Sequence, residues 1–106
     1  FNLPEQYSGV KTPWLAFPLI IKKKKLINRK KMQIFFEKNN IQTRTIFTGN
    51  ILRQPAMKNR YHKKHNNCET VANDVMKNGI LIGCHQGMNK KQLDYICNTF
   101  LKFIKR

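Results

Sequence analysis

Residues 41–55 read IQTRTIFTGNILRQP, and their reading decides the fold. The run opens with alternating β-branched residues, Thr43, Thr45 and Ile46 among them, which favours a strand over 41–47. Gly49 and Asn50 then break it, because this pair belongs in turns and weakens a ladder. The same stretch carries Gln42, Arg44, Asn50, Arg53 and Gln54. It therefore reads as a strand running out into a polar surface that touches something.

Working upstream, Asn28 is an acceptable N-cap for a first helix. Ile27 and Met32 stand at the two positions of a hydrophobic staple, and Met32, Phe35 and Phe36 form a stripe facing a core. Asn39 and Asn40 stop this helix, since asparagine tolerates the left-handed conformation. Before it, the run PWLAFPLII at 13–21 has the composition of a strand covered on both faces. Pro18 restricts that strand to an edge or a bulge. Between strand and helix the four lysines at 22–25 suit a solvated turn; a nucleic-acid patch would want interleaved aromatics or a second basic face. Residues 1–12 hold Pro4, Ser8 and Gly9 without a period and read as an entering connection. The first residue is Phe1 rather than methionine, so the chain reads as a fragment or a processed product.

Working downstream, residues 51–67 read as a long, polar, basic loop, and such loops are often functional. A second helix follows with Cys68, Val71, Ala72, Val75 and Met76 at i, i+3, i+4, i+7 and i+8. Asn67 would cap it, Lys77 and Gly79 would close it, and Cys68 would be a core thiol. A short apolar strand at 80–83 leads into Cys84-His85-Gln86-Gly87, where His85 is either a site residue or a satisfied loop histidine. The third helix opens at Asn89 with Gln92 at N3 and a buried stripe of Leu93, Ile96, Cys97, Phe100, Leu101 and Ile104. Strand, helix, strand, long loop, helix, strand, helix is the order of a two-layer α/β (α+β) domain, a small three-stranded sheet packed with helices. The helices are expected to supply nearly all the core, leaving 41–55 free to face a partner.

The length of 106 residues suits one domain with one modest core. Lys and Arg number 21 against 5 Asp and Glu, a formal charge of +16. Such an excess points to an anionic partner or to nothing more than a lysine-rich surface. No signal peptide is visible, and the longest apolar run falls far short of the roughly 20 residues a bilayer crossing needs. Cys68, Cys84 and Cys97 are odd in number and widely spaced, so neither a disulfide framework nor a metal site is supported. His62 and His65 lie in a basic polar loop and do not change that. No P-loop, nucleophile elbow or dinucleotide fingerprint occurs, and the few carboxylates are scattered, which argues against self-contained acid–base catalysis.

The segments PWLAFPLIIK (13–22), NNIQTRTIFTGNILRQPAM (39–57) and NGILIGCHQGMNKKQLDYI (78–96), taken in this order, resemble the C-terminal small domain of the DegT/DnrJ/EryC1/StrS sugar aminotransferase-like family. The resemblance covers about residues 12–105. Its specific part is the TR–GN–RQP spacing, and the helical parts are generic. TRTIFTGNILRQP and GCHQGM look most like the nucleotide-sugar 3-dehydratase branch, in particular its CDP-4-dehydro-6-deoxyglucose 3-dehydratases of lipopolysaccharide O-antigen synthesis.

The resemblance implies that residues 13–106 are the smaller domain of a fold-type I PLP-dependent transferase. The large N-terminal domain, absent here, would bind PLP or PMP, with a histidine in place of the Schiff-base lysine. In the CDP branch it would also hold an iron–sulfur cluster of the [2Fe-2S] kind. There the cofactor amine condenses with the sugar C4 ketone, a proton is removed and the C3 hydroxyl leaves. An iron–sulfur reductase partner then supplies electrons, and the cofactor carries the hard chemistry. The full enzyme would be a cytoplasmic homodimer, and this fragment alone would be inactive.

Carried over residue by residue, the resemblance makes Gln42, Arg44, Asn50, Arg53, Gln54 and His85 the substrate-binding candidates, with no catalytic residue and no metal ligand in this chain. Arg44 would take a diphosphate or sugar hydroxyl through its fixed fork of donors, or else pair with a carboxylate of the large domain. Asn50 makes either a ligand contact or a structural turn. The partner would be a nucleotide sugar, a CDP-sugar first. Two other readings remain open: the same domain in a PLP-dependent sugar aminotransferase, and a small basic nucleic-acid-binding module with a steep salt dependence.

Overall fold

The apolar run at 13–21 becomes a strand only in its second half. In the computed structural model, which describes residues 1–23, 25–63 and 68–105, β1 is Ala16–Ile20. It is followed by helix α1, Arg29–Lys38; strand β2, Thr43–Arg44; helix α2, Cys68–Asn78; strand β3, Gly79–Gly83; and helix α3, Lys90–Ile104. The sheet has three strands in the order β1-β3-β2, antiparallel at both junctions. Ala16 pairs with Gly83 and Ile20 with Gly79, while Thr43 pairs with Ile82 and Arg44 with Leu81. β1 is thus an edge strand, which is where Pro18 can sit without breaking a central ladder. The segment before it is anchored at its start: Asn2 and Ile20 exchange backbone hydrogen bonds of 2.8 and 3.1 Å, and the Phe1 ring lies 4.9 Å from that of Phe100.

Strand alternation divides the sheet into two faces. On one, Leu19, Ile80 and Ile82 meet Met32 and Phe36 of α1 in a fully buried cluster completed by Ile21 and Ile41. Phe100 and Phe103 of α3 close it, their rings 5.8 and 6.5 Å from Phe36. On the other face stand Ala16, Pro18, Leu81 and Arg44, with no helix over them that contributes to this core.

Both anticipated caps form. Asn28 accepts from the Lys31 N–H, and Asn89 with Gln92 makes a reciprocal capping box. Asn39 ends α1, and Asn40 takes the left-handed conformation at φ 56°. α2 runs into β3 with no intervening loop. Arg29, from the first turn of α1, donates to the Met76 carbonyl at 2.6 Å and so satisfies the end of α2.

Four expectations are corrected. The second strand is two residues long rather than spanning 41–47, because Thr43 gives its N–H to Glu37 Oε1 and the chain turns over at Phe47. The apolar stripe of α2 is not core: Val71 is exposed and Ala72, Val75 and Met76 are half-buried, and none of them joins the buried cluster. The buried face of α3 is rotated to Ile96, Thr99, Phe100 and Phe103, leaving Leu93, Cys97, Leu101 and Ile104 exposed. The core is therefore made by α1 and the strands more than by three helices. The loop at 51–67 opens with two 3-10 turns, Ile51–Arg53 and Pro55–Met57. Asn67, His65 and the Cys68 side chain, assigned roles above, lie outside the described residues.

Candidate functional site

The six candidates sit at two places where the chain must leave the sheet. β2 ends at Arg44, and a turn over 45–49 carries the chain back past α2. Gly49 has φ 68°, and a Cβ there would fall 2.4 Å from the Cβ of Met76, so only glycine lets the turn pass so close to α2. Asn50 follows, 2% exposed. Its Oδ1 accepts from the Leu52 N–H at 3.0 Å, and its amide donates to Asn73 Oδ1 at 3.0 Å. Arg53 Nε donates to the same Asn73 oxygen at 3.2 Å, and Gln54 donates to the Thr48 carbonyl at 3.1 Å. Asn50 and Arg53 therefore hold the turn to α2, and Gln54 ties the turn to the residues that follow it. Among the described residues the guanidinium of Arg53 is engaged through Nε alone, which leaves its other donors to spare.

Gln42 and Arg44 are exposed. No hydrogen bond or ion pair within the described chain engages the Arg44 guanidinium, so its full fork of donors faces outward. At the other exit, where β3 passes into α3, His85 Nδ1 accepts from the Gly87 N–H at 3.0 Å. That bond places the remaining proton of a neutral ring on Nε2, making His85 a donor to anything that approaches it.

Two concavities meet here. One, of about 440 Å³, lies between the end of β3 and the start of α3 and has Gln42, His85, Lys91 and Tyr95 in its wall. Tyr95 fixes one side by donating to the Asn39 carbonyl at 3.0 Å. The other, a groove of about 1050 Å³, runs over the face of the sheet not covered by the core helices, with Arg44, Trp14, Phe47 and Leu81 among its lining. Gln42, Ile82 and Gly83 line both. The structure thus places Gln42 with His85 in one concavity and Gln42 with Arg44 in the other, while Asn50, Arg53 and Gln54 line neither.

The arrangement can bind and orient a polar, anionic molecule through donors. Among the described residues no group of three His, Cys, Asp or Glu side chains could hold a metal ion, and no helix is long and apolar enough to cross a membrane. Sequence reasoning missed Trp14, Leu15 and Phe47. Leu15 and Phe47 are 93% and 88% exposed, and Phe47 adopts φ 44°, a conformation bulky residues rarely take. The available signal was the Phe-Thr-Gly sequence: a large apolar residue placed inside a turn rather than a strand.

Comparison with known proteins gives the family. A family model described as the DegT/DnrJ/EryC1/StrS aminotransferase family matches residues 2–101. The lipopolysaccharide biosynthesis protein RfbH of Salmonella typhimurium is 30% identical over 102 residues, 96% of this chain and 23% of its own length. The dTDP-4-dehydro-2,6-dideoxy-D-glucose 3-dehydratase of Saccharopolyspora spinosa is 28% identical over 111 residues, 99% of this chain and 24% of its own. Among solved structures, a variant of GDP-4-keto-6-deoxymannose-3-dehydratase with bound GDP-perosamine superposes with a TM-score of 0.77 at 31% identity, over 92% of this chain and 25% of that one. The Escherichia coli GDP-4-keto-6-deoxy-D-mannose-3-dehydratase with bound hydrated PLP gives 0.75 at 28% identity, over 92% and 25%. The chain spans about a quarter of the length of the curated relatives it matches. Element order, antiparallel sheet and a match over residues 2–101 agree, and the chain belongs to the DegT/DnrJ/EryC1/StrS aminotransferase family.

Proposed function

We propose that this chain is the substrate-closing small domain of a PLP- or PMP-dependent nucleotide-sugar 3-dehydratase of deoxysugar and lipopolysaccharide O-antigen synthesis. What carries the reading is the Arg44 guanidinium, unengaged among the described residues, in a groove that shares Gln42 with the concavity lined by His85, in a chain whose relatives include sugar 3-dehydratases. Arg44 takes the diphosphate as a bidentate donor. Gln42 and the Nε2–H of His85 orient hydroxyl or keto oxygens of the sugar, and Arg53 extends the donor surface. These residues bind and orient; none of them is asked to move a proton.

The described residues do not fit the cofactor itself. Glu37 is engaged by Thr43 and Asp74 accepts from Asn78, so these carboxylates already have partners, and no metal-holding cluster is present among the described residues. PLP or PMP, and any iron–sulfur cluster, belong in this reading to the large domain. The reading carries with it a cytoplasmic homodimer and, for a CDP-sugar substrate, an iron–sulfur reductase partner.

The test is a chimaera in which this chain replaces the matched quarter of the E. coli GDP-4-keto-6-deoxy-D-mannose-3-dehydratase, supplied with 4-keto-6-deoxy sugars linked to CDP, GDP or dTDP. A 3-deoxy product is expected, with the CDP-linked sugar preferred when the other C-terminal substrate contacts permit it. Arg44→Ala should raise KM roughly 10-fold or more while leaving kcat nearly unchanged, the pattern of lost uniform binding. A folded chimaera that turns over none of these sugars would count against the reading; the donor large domain sets the product, so the aminotransferase alternative kept in view by the family description is decided by whether lysine or histidine stands at the cofactor position of this protein's own large domain.

A further inference from the structure

The basic surface between β1 and α1 plays no part in the candidate site. Lys22, Lys23 and Lys25 are exposed, and the Leu26 and Ile27 N–H groups both donate to the Lys23 carbonyl at 3.0 Å, so the turn is closed by its own backbone. Ile27 packs against the core, while Leu26 is left 78% exposed among the lysines. α1 continues the pattern. At about 100° per residue its inner side carries Met32 and Phe36, and its outward side carries Lys30, Lys31, Ile34 and Lys38, all exposed. The helix has one carboxylate, Glu37, whose Oε1 already accepts from the Thr43 N–H and hydroxyl.

Neither the charge nor the apolar residues of this surface serve the fold. Lys30 and Lys31 stand in the first turn of α1, at the positive end of its dipole, with no acidic residue there. Among the described residues no carboxylate pairs with these lysines, so their mutual repulsion stands uncompensated. Leu26 and Ile34 take no part in the core cluster. Single exposed hydrophobics are ordinary, but these two sit inside a cationic field, which suits a body both anionic and apolar.

Chemistry separates the possible occupants. A second copy of this chain would bring two formal charges of +16 together, which opposes self-association. A nucleic acid would neutralise the lysines, but between residues 22 and 38 no aromatic ring is exposed on which a base could stack, and Leu26 would stay in water. A bilayer with anionic headgroups meets both needs, with phosphates at the lysines and the edge of the acyl region at the two apolar side chains.

We propose that the turn carrying Lys22, Lys23, Lys25 and Leu26, together with the outward side of α1, docks on an anionic membrane surface. The lysine ammonium groups pair with lipid phosphates, and Leu26 and Ile34 enter the headgroup boundary. α1 covers the core face of the sheet, so its outward side looks away from the face that carries Arg44, and docking leaves that face free. The inference does not depend on the function proposed above.

The test is co-sedimentation of the chain with phosphatidylcholine vesicles containing about a quarter phosphatidylglycerol, against phosphatidylcholine alone. Every substituted position is exposed, and circular dichroism checks that each variant keeps its helices. Binding is expected to the anionic vesicles only. Lys25→Gln combined with Lys30→Gln and Lys31→Gln should lower the partition coefficient roughly 100-fold, since each lysine near such a surface contributes about fivefold. Leu26→Gln combined with Ile34→Gln changes no charge and should lower it about 10-fold. The same charge removed elsewhere, as Lys58→Gln with Lys77→Gln and Lys102→Gln, should lower it less than about 3-fold. Equal losses from the two lysine triples overturn the proposal, because binding would then belong to net charge and not to this surface. Sedimentation that is the same with and without phosphatidylglycerol overturns it as well. So does a silent substitution of Leu26 and Ile34; tight binding of a nucleic-acid duplex that survives that pair assigns the surface to nucleic acid instead.

Discussion

The two faces of the sheet are built by the same strands and do opposite work. Leu19, Ile80 and Ile82 point to one side and are at most 6% exposed beneath Met32 and Phe36. Pro18, Leu81 and Arg44, their immediate neighbours in sequence or in the ladder, point to the other, where the side chains are half-buried or open to solvent. A change of one residue along a strand therefore moves a side chain from the part that holds the fold to the part that meets something. The largest expected effect breaks the first face. Phe36→Ala removes a fully buried ring that contacts Phe100 and Phe103, at a cost of about 3–5 kcal/mol. Guanidinium-chloride unfolding should show this as a large fall in midpoint, whereas Leu15→Ala should stay within about 0.5 kcal/mol of wild type. If Leu15→Ala cost as much as Phe36→Ala, the division between the faces would be wrong.

The turn that bounds the open face can be tested next. Gly49→Ala combines a strained φ of 68° with a Cβ 2.4 Å from that of Met76, and α2 must move to admit it. A loss of about 2–4 kcal/mol follows from strain and overpacking together. Asn50→Ala removes the acceptor for the Leu52 N–H and the donor to Asn73, for roughly 2 kcal/mol. Asn50→Ser keeps a side-chain oxygen that can accept from the Leu52 N–H and loses the donor to Asn73, so its midpoint in the same unfolding series should fall between those of wild type and Asn50→Ala. If both Asn50 variants left stability untouched while weakening nucleotide-sugar binding in the chimaera, Asn50 would be a ligand contact instead of a clasp.

How much of this was legible follows from what determines each element. Caps are local, so Asn28 and the Asn89–Gln92 pair could be read from a few residues, and so could the edge position of Pro18. Fold class followed from the order of periodic segments. Strand β2 did not, because its length depends on Glu37 capturing the Thr43 N–H across a turn and on a partner strand of only five residues. Nor did the face of α3. Leu93, Cys97, Leu101 and Ile104 repeat as regularly as Ile96, Phe100 and Phe103, and periodicity cannot choose between two apolar stripes on one helix without knowing where the sheet lies. The candidate site was legible as a stretch but not as a geometry. Nothing in IQTRTIFTGNILRQP says that Gln42 shares a cavity with His85, or that Asn50, Arg53 and Gln54 turn back onto Asn73 and Thr48.

The smallest expected effect has the opposite sign and separates backbone from side chain at the open face. Phe47 sits at φ 44° with its ring 88% exposed. A left-handed non-glycine residue carries a penalty of about 1–2 kcal/mol, and glycine relieves it while adding about 0.5–1 kcal/mol of unfolded-state entropy. Phe47→Gly should therefore stabilise the chain alone by about 0.5 kcal/mol. Phe47→Ala keeps the strained φ and loses only an exposed ring, so it should leave stability nearly unchanged. Urea unfolding of the three chains in parallel resolves the order. Glycine above wild type, with alanine level, means that the ring contributes nothing within this chain and that the strain is held for a contact outside it. Both variants falling below wild type would mean that the ring already packs against its own groove, and the open face would then belong to the fold as the core face does.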